Sequence, residues 1–139
     1  MKAWIGVVAR SHVEQGIREK IAQLGHGTRA PLARLSPGDW LIYYSSQSEY
    51  PDGEPVQAFT AIGRVPDDEI YEQVTESGFH PFRRRVEYVE AKEAPIKPLL
   101  PYLSFSRNTS NWGMVMRRGL VEITIEDVKL IAEAMGATV

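Results

Sequence analysis

The chain contains no cysteine among its 139 residues. That absence removes disulfides, thiolate zinc sites, iron–sulfur clusters and a cysteine nucleophile together. Histidine is scarce, with His12, His26 and His80 the only copies. None stands four residues from another or beside a suitable carboxylate pair, so no metal motif is present. No run approaches the roughly 18 apolar residues that a membrane-spanning helix requires. The N-terminal Met1–Arg10 stretch has one lysine, a short apolar run and no small-residue cleavage site. It reads as a first strand, and the expected location is cytoplasmic, with no membrane partner. Strong net charge is lacking too: the formal value is −2. Nothing global therefore demands nucleic acid or an acidic surface. Phosphate-binding Walker loops and Gly-x-Ser-x-Gly elbows are missing. Gly25-His26-Gly27-Thr28-Arg29-Ala30 has the letters of a dinucleotide fingerprint, but it follows a helical pattern where the fingerprint must follow a strand.

What is present is ordinary for a globular chain: 43% hydrophobic and 24% charged residues. The length suits one domain over 1–139, large enough to bury about two-thirds of its unfolded surface. Charge is unevenly spread. Residues 66–80 carry five acids and no base, whereas residues 81–118 carry eight bases against three acids. The second segment is suited to an anion, or is a solvated arginine-rich strand edge.

Hydrophobic periodicity predicts a strand over 3–9, then a helix over 12–24 opened by a Ser11-x-x-Glu14 capping box and closed by Gly25. Residues 26–37 read as a loop. Pro37-Gly38-Asp39 is turn chemistry that launches a strand over 40–45. An exposed loop over 47–55 leads to an antiparallel strand over 56–65. The acidic stretch suggests a short helix at 68–74, and residues 83–89 a further strand. Ile96, Leu99 and Leu100 are available to plug a core. Residues 102–105 and 112–116 read as extended. Thr124-x-x-Asp127 caps a final helix with Val128, Ile131, Ala132 and Met135 inward and Gly136 at its end. Short strands with flanking helices imply a mostly antiparallel α+β sheet curling into a small barrel.

Alternation sends Tyr43 and Ser45 to one face of their strand, and Tyr44 and Ser46 to the other. A planar ligand could stack there while hydroxyls meet its polar edge. The alternative is a core tyrosine with two loop serines. Ser45 or Ser46 with His12 or His26 and Asp39 would also make a hydrolytic set, though any chain of this length offers one. Arg83 and Arg85 share a strand face and suit phosphate oxygens. Equally, such arginines keep an edge strand from pairing with another chain. Trp112 is either core or pocket wall.

The ordered set resembles the EVE domain, a PUA-like relative of YTH and ASCH domains. The elements that carry it are Trp4-Ile5-Gly6-Val7-Val8 with Arg10-Ser11-His12, then His26-Gly27 before Pro31-Leu32, and Pro37-Gly38-Asp39 opening Leu41–Ser45. Phe59–Val65, Ala94–Leu100, Leu103-Ser104-Phe105, Trp112-Gly113 and Arg118-Gly119 complete it. The resemblance implies a PUA-like distorted β-barrel flanked by helices, with no cofactor and no catalysis, that reads a modified nucleobase in DNA or RNA. The implied pocket residues are Arg10, Ser11, His12, His26, Tyr43, Ser45, Ser46 and Trp112, with Trp40, Phe82 and Trp112 as candidate aromatic walls. Arg29, Arg83, Arg85 and Arg117 are the expected backbone contacts. A separately encoded nuclease or modification enzyme is an implied partner. The competing expectations are a small nucleotide-binding hydrolase and a protein-interaction module without nucleic acid.

Overall fold

The computed structural model describes residues 1–139. In chain order its elements are β1 (Ala3–Val7), α1 (Arg10–Glu19), β2 (Ile21–Ala22), α2 (Arg29–Ala33), β3 (Trp40–Gln47), β4 (Pro55–Arg64), β5 (Ile70–Glu72), β6 (Phe82–Arg85), β7 (Glu87–Tyr88), β8 (Ala94–Pro95), α3 (Trp112–Met116), β9 (Leu120–Ile123) and α4 (Ile125–Ala134). Single 3-10 turns lie at Gly25–Gly27 and Lys97–Leu99. No helix is long and apolar enough to cross a membrane.

The strands form two sheets. The larger has the order β7-β4-β3-β1-β9, with β8 also on β4; the smaller has the order β2-β6-β5. The expected α+β class holds. Pairing is antiparallel except between β1 and β3, which run parallel from Ala3 opposite Trp40 to Val7 opposite Tyr44. A parallel pair needs a long crossover, and α1, β2 and α2 supply it. β3 is buried on both faces, which accounts for its unbroken apolar run from Trp40 to Tyr44. Trp40, Ile42 and Tyr44 enter one core with Phe59, Leu103 and Ile131. Leu41 and Tyr43 enter a second, with Trp4, Leu24 and Val86.

The segment expected as one strand over 83–89 breaks at the buried Val86. Its first half pairs with β2 and β5, its second with β4. One extended run thus passes from the small sheet to the large one, the usual way a chain turns a corner between sheets.

Several local expectations are corrected. Helix α1 starts at Arg10, with Ala9 as its uncapped N-cap, so Ser11 sits inside the first turn. The amide of Ser11 donates to the Ser48 carbonyl at 3.0 Å instead of taking part in a capping box. The helix ends at Lys20, in the left-handed conformation, because Ile21 and Ala22 are drawn into pairing with Arg85 and Arg84. Ile17 consequently faces solvent, and Val13 and Gly16 form the inner face. Residues 29–33 are helical where a loop was expected, and residues 70–72 are a strand where a helix was expected. Residues 102–105 are turns, and 112–116 is a helix, because Trp112 and Val115 at i, i+3 both pack on the first core. Strand β9 was missed altogether; it is only four residues long and pairs with β1.

The α4 capping box forms as expected, between Thr124 and Asp127. Asp127 also accepts from the backbone amide of Ser104 at 2.8 Å and from the Ser104 hydroxyl. One buried carboxylate therefore starts α4 and fixes the turn that carries Leu103.

Asp39 is a second such anchor, 2% exposed. Its carboxylate accepts from the Lys2 amide, the Trp4 indole Nε1 and the Ser36 amide, each at 2.9 Å. Burial pushes its pKa up, but hydrogen bonds from Lys2, Trp4 and Ser36 and the nearby N-terminal charge outweigh this, and the net shift is downward. The stabilisation is therefore complete above the ordinary value of 3.8 and is lost as pH falls through the lowered folded value. Asp39→Asn, which cannot accept from all three donors, is expected to cost about 2–4 kcal/mol at neutral pH. Urea unfolding at pH 7 and pH 3 should show that the variant loses less stability on acidification than the parent.

Candidate nucleic-acid interface

The parallel pair ends at one edge of the sheet, and three chain segments meet there. The Val8 amide donates to the Tyr44 carbonyl at 3.2 Å, and the Val7 amide to the Gly119 carbonyl at 2.8 Å. With the Ser11–Ser48 bond, these place Arg10-Ser11-His12, Ser45-Ser46 and the Arg117-Arg118 turn at the carboxyl ends of β1 and β3. Carboxyl ends of parallel strands are where open α/β sheets most often bind ligands.

On the second-core side lies a narrow cleft of about 10 Å³, lined by Val8, His12, Gln15, Gly16, Ile21, Gln23, Tyr43 and Arg83. That volume holds about one water. Three expected residues, His12, Tyr43 and Arg83, converge on it. Tyr43 is buried on the central strand, its ring stacked at 6.4 Å on Tyr88. Burial pushes its hydroxyl up to about 12, against smaller opposing effects of the Tyr88 hydroxyl and the Gln23 amide. It is thus a neutral donor and acceptor at physiological pH. Tyr88 in turn donates to the Ile21 carbonyl at 2.8 Å. Its own pKa is raised by burial and by the neighbouring Tyr43.

Arg83 donates through Nε to Gln23 Oε1 at 3.1 Å and through an Nη to Glu19 Oε1 at 3.4 Å. Gly16 lets α1 come this close. A Cβ there would stand 2.9 Å from the Ile21 carbonyl oxygen and 3.4 Å from the Tyr88 hydroxyl. Gln15, Gln23 and Tyr88 were not anticipated. A glycine in mid-helix was the one available signal of close approach; Gln23 becomes visible only once β2 is paired with β6.

The other expected residues divide. Arg10 makes two 2.8 Å bonds to Glu93 on the surface. Ser11 and Ser46 are exposed. The Ser45 hydroxyl is buried against Thr60 Oγ1 at 2.9 Å. His26 is exposed, outside the cleft lining, with a left-handed φ of 59° between Gly25 at 54° and Gly27 at 86°. That turn abuts Pro81 and the half-exposed Phe79. Trp112 lies on the opposite core, edge-on to Tyr44 at 6.1 Å, so it does not share a wall with Tyr43. Of the other aromatic candidates, Trp40 is buried and Phe82 packs on the second core. Arg29 and Arg117 are exposed, and the latter reaches only Met114 Sδ. The hydrolytic set is not assembled. Asp39 and Ser45 are about 20 Å apart along the strand, and no hydrogen bond joins either serine or Asp39 to a histidine.

The three consecutive arginines have three different roles. Arg83 lines the cleft. Arg84, 2% exposed, donates to the carbonyls of Leu32 at 3.0 Å, Leu35 at 2.8 Å and Asp67 at 2.6 Å. Burial lowers its pKa, while the charges of Asp67, Asp68 and Asp39 favour the cation. Arg85 is held in solvent by Asp67 at 3.2 Å and Glu69 at 2.6 Å, so carboxylates already occupy an expected phosphate contact. Arg84→Ala strands three carbonyls and should cost about 3–5 kcal/mol. Arg85→Ala should leave the denaturant midpoint within error. Equilibrium denaturation of both variants decides this.

Comparison with known proteins places this geometry. The EVE domain model matches residues 2–134. UPF0310 proteins are similar along almost the whole chain. That of Mycolicibacterium vanbaalenii is 44% identical over 135 residues, covering 97% of this chain and 93% of its own. That of Mesorhizobium japonicum is 48% identical over 136 residues, covering 96% and 91%. Among solved structures, the fold is shared with the YTH domain of Zygosaccharomyces rouxii MRB1 protein in complex with N6-methyladenosine RNA. The TM-score is 0.61 at 17% identity, over 94% of this chain and 85% of that one. Protein Atu2648 from Agrobacterium tumefaciens gives a TM-score of 0.57 at 11% identity, over 98% and 94%. Two cores around a parallel strand pair, with a polar cleft at its carboxyl end, are thus the form that this sequence gives to a known family: the chain belongs to the EVE domain family.

Proposed function

We propose that this protein is a non-catalytic nucleic-acid-binding module that reads a modified base at the Tyr43 cleft. The observation that carries the reading is the lining itself. A neutral phenol, a guanidinium, two carboxamide side chains and an imidazole surround one spot beneath α1. Such a set can match the donor and acceptor edge of a base, and Tyr43, backed by Tyr88, offers an aromatic wall. The fold shared with a YTH domain solved with N6-methyladenosine RNA supports the same reading.

The cleft is too narrow for a base as it stands, so binding requires opening. Arg83, Gln15, Gln23 and His12 are the groups that would move, since Tyr43 is fixed on the central strand. Leaving Glu19 and Gln23, Arg83 would re-form its hydrogen bonds on the ligand. Flipping a base from a duplex costs a few kcal/mol, so single strands are the easier targets. One buried methyl adds about 0.8 kcal/mol, or roughly fourfold in affinity. Greater selectivity has to come from the shape of the opened cleft.

Filter binding with matched single-stranded oligonucleotides, carrying N6-methyladenine, 5-methylcytosine or the unmodified bases, tests this. At least one mark is expected to bind fourfold or more tightly than its unmodified parent. Tyr43→Phe should weaken binding of the preferred oligonucleotide about three- to tenfold by removing one hydrogen bond. Equal affinity for every oligonucleotide at moderate salt overturns the reading.

A further inference from the structure

Tyr43 and Tyr44 are adjacent on β3, yet their rings enter different cores. The cleft accounts for Tyr43. On the other side of the sheet, the Tyr44 residue is 2% exposed as a whole; its hydroxyl makes no hydrogen bond within the protein yet is not sealed from solvent, since Arg84 Nε is the buried side-chain polar atom without a partner. The half-buried Trp112 meets it edge-on.

The segment that carries Trp112 holds charge of one sign. Between Ala94 and Val121 the sequence holds Lys97, Arg107, Arg117 and Arg118 and no acid. None of these four cations is in an ion pair. Asp127, the carboxylate that faces the segment, is buried and engaged by Ser104 and Thr124. The 2.8 Å bond from the Val7 amide to the Gly119 carbonyl places the Arg117-Arg118 turn at the sheet end where the cleft opens.

We propose that Trp112 and the Arg117-Arg118 turn form a second contact surface for the same nucleic acid, so that a single strand crosses the carboxyl end of β1 and β3 from the Tyr43 face to the Tyr44 face. It rests on the reading of the protein as a nucleic-acid binder, but not on base modification. The Trp112 ring takes a neighbouring base by stacking, the guanidiniums take two phosphates, and the free Tyr44 hydroxyl is a hydrogen-bonding group beside them. The occupant is single-stranded, because bases must be unstacked to reach an indole at a sheet edge. Sequence selectivity at this surface is low, since every base has a π face.

The test uses the full chain with fluorescein-labelled single-stranded octamers of DNA and RNA, each with a central N6-methyladenine or adenine, and the free N6-methyladenosine nucleoside. Two variants are compared with the parent. Arg117→Glu/Arg118→Glu alters only exposed side chains, and Trp112→Phe keeps a ring against Tyr44. The double variant should weaken octamer binding at least tenfold and reduce the slope of log K against log salt by about 1.4, two phosphates at roughly 0.7 each. Trp112→Phe should weaken it less, with indole fluorescence quenched by octamer in the parent. Nucleoside binding should be unchanged in both. Octamer affinities within twofold of the parent in both variants overturn the second surface. Weakening by the double variant without any preference for the methylated octamer supports this surface and defeats the base-reading proposal. Failure of the parent to bind any octamer overturns both.

Discussion

A single buried carboxylate sets the frame of this molecule. Asp39 accepts one bond from the backbone next to β1, one from a side chain on β1, and one from the turn that opens β3. It therefore fixes the starts of the two parallel strands against each other. Register follows from that start, and the carboxyl ends come into line about five residues later. Every feature of the candidate interface depends on this alignment: the Val8–Tyr44 bond, the place where α1 begins, and the position of the Gly119 turn. Arg84 does the corresponding work for the small sheet, collecting carbonyls from the α2 region and from the approach to β5. Neither side chain lines the cleft, yet together they decide where the lining residues stand.

The parts legible in the sequence are those fixed by local chemistry. The Thr124–Asp127 box, the Pro37-Gly38-Asp39 turn and the opposite facing of Tyr43 and Tyr44 need only neighbours in the chain. The errors come where tertiary pairing overrides local preference. Ser11 had every attribute of an N-cap, but its amide is claimed by Ser48. Ile21 continued a helical stripe, but a strand of arginines offered it a ladder. Trp112-Gly113-Met114-Val115-Met116 contains β-formers and a glycine, yet packing of Trp112 and Val115 on the core makes it helical. Alternation set Arg84 apart from Arg83 and Arg85, but it distinguishes faces and not partners, so the last two could not be told apart.

The structure regroups the residues expected at the candidate interface. His12, Tyr43 and Arg83 do converge, whereas Trp112 lies across the sheet, Ser45 bonds to Thr60 and Arg85 is neutralised by two carboxylates. The unforeseen Gln15 and Gln23 supply much of the polar character of the cleft. They are residues with no motif, and only the approach of α1 to β2 gives them a role. The cleft thus combines one side from the central strand, Tyr43, with another made from a surface helix and a short strand.

The clasp between Arg10 and Glu93 has a consequence for any titration with electrolyte. It joins the first turn of α1 to the stretch ahead of β8, and both its partners are substantially solvent-exposed. Mobile ions weaken such an exposed pair. Raising ionic strength therefore weakens this tie on the helix above the cleft, and the same change would compete with the nucleic acid proposed to bind there. One variable, the electrolyte concentration, thus acts on the helix tie and on the proposed surface together.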